Sequence, residues 1–139
     1  MNLSKYLEQK WMGMLKGVAY AAPTPYVGLI DDTATEAELE GDTPLISEIT
    51  GYTGNRKQIT FGAITKVGTD PSQMDGPVVL IEFEDMPAPA GLKIKYFVIC
   101  DAPTGGNCLG WSEITGGPEE FSEGDSFRVP IDNITVKLG

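Results

Sequence analysis

The chain of 139 residues contains no histidine. Histidine is the commonest general acid or base near neutral pH, the base of nucleophile triads and a usual ligand of catalytic zinc. Its absence excludes those kinds of site from this chain. We therefore expect a protein that is not an enzyme and that has no catalytic, cofactor-binding or metal-binding residues.

Basic residues are also scarce, since 10 Lys and Arg stand against 20 Asp and Glu and give a net charge of -10. Phosphate backbones and anionic lipids bind clustered positive charge, whereas the basic residues here are scattered. No apolar run approaches the roughly 18 residues that a membrane span requires. We therefore expect neither nucleic acid nor a membrane as a partner.

The start of the chain lacks the uninterrupted apolar core of a secretion signal, because charged residues interrupt it throughout residues 5–16. We therefore expect assembly in a reducing cytoplasm. Cysteine is rare as well, and Cys100 and Cys108 flank a predicted turn. Two buried thiols that act as small apolar residues fit such a compartment, and a disulfide across the turn stays open as the alternative.

Residues 3–18 have the apolar spacing of an amphipathic helix. Ser4 or Asn2 suits its N-terminal cap. Gly17 suits its end, and Pro23 prevents continuation. The segment is locally basic in an acidic chain. Its apolar stripe consists of Leu3, Leu7, Trp11, Met14, Leu15 and Val18.

After residue 25 the apolar spacing changes from about 3.6 to 2 residues, which is typical of β-strands. This pattern predicts an all-β fold, an antiparallel β-sandwich or jelly-roll-like barrel of about seven or eight short strands with an N-terminal α-helix. The predicted domains are a helix and linker over residues 1–22 and a β-sandwich over residues 23–139. The candidate strands are residues 26–30, 59–65, 78–83, 92–100, 109–114, 127–131 and 134–138.

Three connecting segments complete the predicted fold. The acidic residues 31–48 are expected to form a solvated loop, with at most one helical turn around residues 35–40. Residues 68–77 are rich in Asp, Gly and Pro and are expected to form a polar connection. Asp132 and Asn133 suit either a tight hairpin turn or a bulge within one bent strand.

Neighbouring carboxylates raise a catalytic alternative, because a glycosidase places two of them on one cleft. Adjacency in the sequence does not bring two carboxylates together across a cleft, so a charged exterior is the simpler interpretation. A carboxylate-based hydrolase is kept as a remote alternative. Its candidate residues are Asp31 with Asp32, Glu82 with Glu84 and Asp85, and Glu119 with Glu120.

The apolar stripe of the helix either packs against its own sandwich or docks on a neighbouring protein, and self-packing is the simpler interpretation. A Trp beside Met residues suits an adaptable contact, and the basic bias suits an acidic neighbour. The candidate partner contacts are Leu3, Leu7, Lys10, Trp11 and Met14.

Surface aromatic residues offer a separate alternative, the binding of host glycans, because aromatic rings can stack on sugar rings. Packing in the core is the competing explanation for each of them, and it is the simpler one. The candidates are Tyr20, Tyr52 and Trp111.

Several stretches resemble a family of small tailed-phage virion proteins, often described as tail-fibre-like or structural proteins. The arginine of the middle stretch is displaced from the tyrosine that it follows in the family, and the usual tryptophan is missing where Pro87 to Gly91 stands. The resemblance is carried by Leu3-Ser-Lys-Tyr-Leu-Glu-Gln-Lys10, Pro25-Tyr-Val-Gly-Leu29, Glu48-Ile-Thr-Gly-Tyr52 with Arg56, Ile81-Glu-Phe83, Tyr96-Phe-Val-Ile-Cys-Asp101, Gly105-Gly-Asn107 and Ile134-Thr-Val-Lys-Leu138.

The resemblance implies a virion structural protein, an all-β module with an N-terminal helix that repeats around the particle. We expect a capsid cement or decoration protein that binds the major capsid protein lattice as a homotrimer. The alternative is a tail or tail-fibre component, including one that binds a receptor. In either case the chain is expected in the virion.

Overall fold

A computed structural model describes residues 1–66 and 68–138. Val67 and Gly139, the last residue of the predicted sandwich domain, lie outside the described residues. The predicted all-β class with an N-terminal helix is confirmed, with more strands than expected, and every strand pairing is antiparallel. The described elements are β1 (Asn2–Leu3), α1 (Lys5–Leu15), β2 (Tyr26–Asp31), α2 (Glu36–Glu40), β3 (Glu48–Ile49), β4 (Lys57–Gln58), β5 (Ser72–Gly76), β6 (Ile81–Phe83), β7 (Ile94–Cys100), β8 (Cys108–Glu113), β9 (Phe127–Val129) and β10 (Ile134–Leu138).

The largest sheet runs in the order β1, β8, β7, β2 and β3, and β4 pairs with the start of β2. Strand β7 lies at its centre and is buried on both faces from Tyr96 to Cys100. Burial on both faces explains why this strand is an almost continuous apolar run, apart from Lys95 near its start. Two smaller sheets pair β10 with β5 and β6 with β9.

The main core lies on one face of the large sheet, where strands of the two smaller sheets cover it. This arrangement is a sandwich, because apolar side chains from the facing sheets share one buried cluster. Each buried Leu, Ile, Val or Phe side chain stabilises the fold by roughly 1.5–3 kcal/mol. The cluster includes Val27, Leu29, Phe97, Ile99 and Leu109 from the large sheet and Ile81, Phe83, Val129 and Ile134 from the smaller sheets.

The second face of the large sheet is covered by α2, whose Leu39 packs with Ile30, Tyr96 and Val98. The predicted helical turn is confirmed as α2, but the solvated loop is wrong, because part of residues 31–48 is buried beneath and within this cover. The two cysteines face each other across β7 and β8 and belong to the same cluster. Both are buried free thiols, as expected.

Helix α1 is shorter than predicted at both ends because of its caps. At the start, Leu7 N donates to Ser4 Oγ at 3.2 Å, and Ser4 Oγ donates to the Cys108 carbonyl oxygen at 2.6 Å. Strand β1 precedes the helix and pairs with β8, so backbone hydrogen bonds join residues 1–22 to the sandwich. At the end, Gly17 adopts the left-handed conformation, with φ of 86°, which glycine reaches without steric cost.

The middle of the chain differs most from the sequence prediction. Residues 59–65 form no regular strand, and only Thr65 makes an isolated bridge, to Gln73. The expected polar connection instead contains β5, whose polar sequence is held by its pairing with β10 rather than by an apolar face. The strand predicted over residues 78–83 begins only at Ile81, and the residues before it are exposed.

The chain turns between β9 and β10 with Ile131 and Asp132 at the centre of the turn, and Asn133 closes it. Asn133 N donates to the Pro130 carbonyl oxygen at 3.2 Å, and Asp132 has a φ of 60°. Because β9 and β10 belong to different sheets, this turn passes the chain between sheets. Both the hairpin and the bulge interpretations are therefore wrong.

Candidate interaction surface

One face of α1 packs on the sandwich of its own chain. Leu7 is buried in the main core, with 7% of its surface exposed, and Leu3 and Trp11 are partly buried against the same core. Leu7 and Trp11 are spaced by four positions and therefore lie on one side of α1, whereas Leu3 is placed beside them by the pairing of β1 with β8. The first three members of the predicted stripe thus contact their own chain.

An apolar groove with a volume of about 230 Å³ lies beside this face of α1. Met1, Phe61, Met74 and Val136 line it together with side chains of the helix. The Met1 ammonium group donates a hydrogen bond of 3.0 Å to the Thr135 carbonyl oxygen, and burial lowers the pKa of that ammonium group. The first residue is therefore tied to β10 and helps to form the groove.

The far end of α1 is apolar and exposed. Its helix-end patch consists of Met12, Met14, Leu15 and Val18, and Leu15 has 91% of its surface exposed. Gly17 N donates to the Met14 carbonyl oxygen at 3.0 Å and Val18 N to the Gly13 carbonyl oxygen at 2.9 Å, which is the Schellman pattern of helix ends. This cap fixes the backbone that carries the patch.

The five predicted contact residues separate into two groups. Leu3, Leu7 and Trp11 face their own sandwich, whereas Lys10 and Met14 are exposed to solvent. The structure therefore does not bring the five together on one outward surface. Met14 shares the helix-end patch, and Lys10 lies one turn before the end of the helix.

Sequence reasoning did not place Leu15 and Val18 among the contacts, although both belong to the predicted stripe. The signal that could have found them is Gly17, because it ends the helix within one turn of both residues. Side chains at the end of a helix lie beyond the part of the helix that packs against the sandwich. Both are exposed here.

Glu38 lies in the acidic segment, and its buried carboxylate accepts five hydrogen bonds. The donors are Thr35 N and Oγ1, Ile46 N, and Ser47 N and Oγ, at distances of 2.9–3.2 Å. Burial acts to raise the pKa of Glu38, but these hydrogen bonds outweigh it and lower the pKa below its ordinary value. This carboxylate fastens α2 to the segment that leads into β3.

Arg56 and Glu48 form an ion pair in which the Arg56 side chain is buried. Arg56 Nε and Nη2 donate to the two Glu48 carboxylate oxygens at 2.7 and 2.8 Å, and Nη1 donates to the carbonyl oxygens of Ala102 and Gly105 at 2.9 and 2.7 Å. Burial acts to lower the pKa of Arg56, but the hydrogen bond and charge of Glu48 and the neighbouring Cys100 and Tyr52 together outweigh it and raise the pKa. A Cβ on Gly28 would lie 2.7 Å from Glu48 Oε2, so glycine makes room for the pair.

The three groups of neighbouring carboxylates have structural partners. Asp31 accepts a hydrogen bond of 2.7 Å from Thr33 N, Glu82 lies 3.4 Å from the Arg128 guanidinium, and Glu120 lies 3.5 Å from a lysine ammonium group. Among residues 1–66 and 68–138 there is no group of three or more Cys, Asp or Glu side chains that could hold a metal ion.

The three aromatic candidates for glycan binding have partners inside the chain. The Tyr52 ring packs edge-on against Phe83 with centroids 4.9 Å apart, and burial raises the pKa of Tyr52 to about 12. The Trp111 ring packs edge-on against Tyr96 at 5.7 Å. Tyr20 is partly buried against the main core. Tyr52 is a core residue, so core packing, the simpler explanation, is confirmed for Tyr52 and the glycan-binding alternative is wrong for it.

Comparison with known proteins yields one family. Residues 2–137 match the model of a family described as Podophage GP4 fiber I protein gp80. The match takes in α1, α2 and all but the last residue of β10. No curated protein matches the chain. In the described part of the chain, neither helix has the length and apolar character needed to cross a bilayer.

Proposed function

The chain belongs to the family of Podophage GP4 fiber I protein gp80, a family of phage structural proteins, and we propose that it is a structural component of a tail fibre. The observation that carries the proposal is the extent of the match, residues 2–137, which spans both faces of the sandwich and the N-terminal helix. The family description names a fibre and not a capsid. It therefore favours the tail-fibre alternative over the capsid cement protein that we first expected.

The arrangement of buried and exposed groups supports a role in contacts rather than in chemistry. The buried charged groups Glu38 and Arg56 have partners within the chain, and so they stiffen the body. The exposed apolar surface at the end of α1 is available to a neighbour, and Met14 and Lys10 are the predicted contacts that lie on or beside it. Leu3, Leu7 and Trp11 hold the helix in place.

The number of copies in the virion tests the proposal. Quantitative mass spectrometry of purified virions, with the major capsid protein as the internal standard, gives the number of chains per particle. A tail-fibre component is present in a small number of copies and follows the tails when tails and heads are separated. A copy number that approaches that of the major capsid protein, together with recovery of the chain in the head fraction, would contradict the proposal and support the capsid interpretation.

A phage whose gene for this chain carries a nonsense codon separates the same two roles by their consequences. If the chain is a fibre component, DNA-filled heads form normally in the non-suppressing host and the particles fail to adsorb to cells. If it is a capsid cement protein, adsorption is normal and the heads break at lower temperature than wild-type heads. The second outcome contradicts the proposal.

Deletion of residues 1–18 is a poor test of the contacts made by α1, because the fold depends on this segment. Removing residues 1–18 deletes β1 and the Ser4 contact with Cys108, and it uncovers core residues such as Leu109. Loss of particle binding after that deletion would therefore report unfolding as well as lost contacts. Substitutions at Met14 and Lys10 leave β1 and the buried face of α1 intact and are the better test of these two contacts.

A further inference from the structure

Exposed large apolar side chains gather at two places among the described residues. One is the helix-end patch at the end of α1. The other, which we call the loop patch, precedes β6 and includes one residue from the turn between β9 and β10. The loop patch consists of Val78, Val79, Leu80 and Ile131, and Val79 has 70% of its surface exposed.

The loop patch is held in shape by backbone hydrogen bonds. Val78 N donates to the Thr60 carbonyl oxygen at 3.0 Å, and Asp132 N donates to the Pro77 carbonyl oxygen at 3.1 Å. The second bond joins the two segments that form the patch. The backbone of both patches is therefore fixed before any partner arrives, which lowers the entropy cost of binding.

The charges beside the two patches are of opposite sign. Lys10 and Lys16 lie beside the helix-end patch, and residues 9–22 contain no acidic residue. The two segments of the loop patch, residues 77–81 and 130–133, contain one charged residue, Asp132, which is acidic. Residues 23–139 as a whole, which include these two segments, contain 19 of the 20 acidic residues and 7 of the 10 basic residues.

These charges select among the ways in which two copies can meet. Two helix-end patches face to face would bring lysines of both copies together, and two loop patches would bring together the two copies of Asp132. A helix-end patch against a loop patch places lysine near aspartate and covers apolar surface on both sides. Opposite charge steers and orients a contact, whereas like charge opposes it.

We propose that the helix-end patch of one copy of this chain docks on the loop patch of a second copy. Because the two patches differ, the contact is heterologous, and a pair of copies joined by it keeps one free loop patch on the first copy and one free helix-end patch on the second. Such contacts close into a ring or continue as a filament, and the smallest closed assembly is a twofold dimer in which two copies exchange both contacts. The contact is independent of whether the chain lies in a fibre or on a capsid.

The size of the patches sets the strength of a single contact. A stable interface buries roughly 800 Å² on each partner, and a few exposed side chains supply less than that. One contact alone is therefore weak in dilute solution. Closure of a ring adds a further contact within the same assembly, at a high effective concentration and without ordering another free chain.

Two substitutions, each of which places a charge in one patch, test the proposal. Leu15→Asp disables the helix-end patch, and Val79→Asp disables the loop patch. Sedimentation equilibrium measures the mean mass of wild-type protein, of each variant and of an equimolar mixture, up to roughly millimolar concentration, where weak contacts are populated. Ile46→Asp is the matched control, because Ile46 is 83% exposed and lies in neither patch. Thermal unfolding checks that every variant is folded.

The heterologous contact has a distinctive outcome. Wild-type protein and Ile46→Asp associate as concentration rises, and each patch variant alone loses at least about tenfold in association constant. The mixture recovers association but stops at a dimer, since each variant supplies the patch that the other lacks. The proposal is overturned if wild-type protein stays monomeric throughout, if either patch variant alone associates like wild type, or if the mixture fails to associate.

Discussion

Helices α1 and α2 both start at a hydroxyl cap, Ser4 for α1 and Thr35 for α2, but they differ in charge and in surroundings. Helix α2 lies in the most acidic segment of the chain, and its Glu38 and Leu39 are buried. Helix α1 is locally basic, buries only Leu7 fully, and ends in exposed apolar side chains. The acidic helix α2 thus contributes to the interior, whereas the apolar end of α1 lies at the surface.

This difference shows that hydrogen-bond partners, rather than residue type, decide which charged groups are buried. A carboxylate with five donors around it can be buried at little cost, because the donors replace the water that it loses. For the exposed apolar residues at the end of α1, the described part of the chain offers no comparable stabilisation. Exposed apolar surface of this kind is characteristic of protein interfaces.

The largest predicted effect is on the buried carboxylate of α2. Glu38→Ala leaves the backbone N–H groups of Ile46 and Ser47 without their acceptor and removes the capping box, so we expect a loss of about 3 kcal/mol in the free energy of unfolding. Urea denaturation measures it. Glu36→Ala is the matched control, because Glu36 is exposed in the same helix and its loss should change stability by less than about 0.5 kcal/mol. Equal effects of the two substitutions would contradict the difference between interior and exterior carboxylates.

The pH dependence of stability sharpens the same point. Because hydrogen bonds lower the pKa of Glu38 in the folded state, its stabilising contribution is complete above the ordinary glutamate pKa of about 4.3 and is lost as the pH falls through the lower folded value. Glu38→Gln removes this proton uptake, so its unfolding free energy should fall less steeply with acid than that of the wild type. Parallel curves for the two proteins in urea titrations between neutral pH and acid would contradict the lowered pKa.

The cap of α1 should have a smaller effect. Ser4→Ala removes the acceptor for Leu7 N and the donor to the Cys108 carbonyl oxygen, and we expect a loss of about 1–2 kcal/mol in unfolding free energy. Ser126→Ala is the control, since Ser126 is exposed. A loss below about 0.5 kcal/mol at Ser4 would mean that the start of α1 is not fastened to β8.

The smallest predicted effect is at the end of α1. Leu15→Ala should change the unfolding free energy by less than about 0.5 kcal/mol, because the side chain is almost fully exposed. Thermal unfolding of this variant beside Leu7→Ala, for which we expect a loss of about 2–5 kcal/mol, compares the two ends of one helix. A loss above about 1 kcal/mol at Leu15 would show that the helix end packs on its own chain.

The parts of the fold that local chemistry determines were predictable. The cap at Ser4, the end at Gly17 and the central strand β7 follow from a hydroxyl, a left-handed glycine and an apolar run. Strand β5 was not predictable, because its sequence is polar and its pairing partner is about 60 residues away. The burial of Glu38 was missed because its donors at Ile46 and Ser47 lie beyond the helix that carries it.

The candidate surface was only partly predictable for a related reason. The spacing of apolar residues places Leu3, Leu7, Trp11, Met14 and Leu15 on one stripe. It does not show at which residue the stripe ceases to pack against the sandwich. That limit depends on how β1 pairs with β8 and on where the groove lies, which are tertiary facts. The loop patch was predicted as part of a strand, so its exposure was not expected.

The most direct test of the proposed function is the position of the chain on the intact virion. Electron microscopy of virions labelled with a gold-conjugated antibody against the purified protein measures that position. We expect the label on the fibres at the tail, with bare capsid shells. Label spread over the shell, or virions that carry no label while the antibody still binds the free protein, would contradict a tail-fibre component.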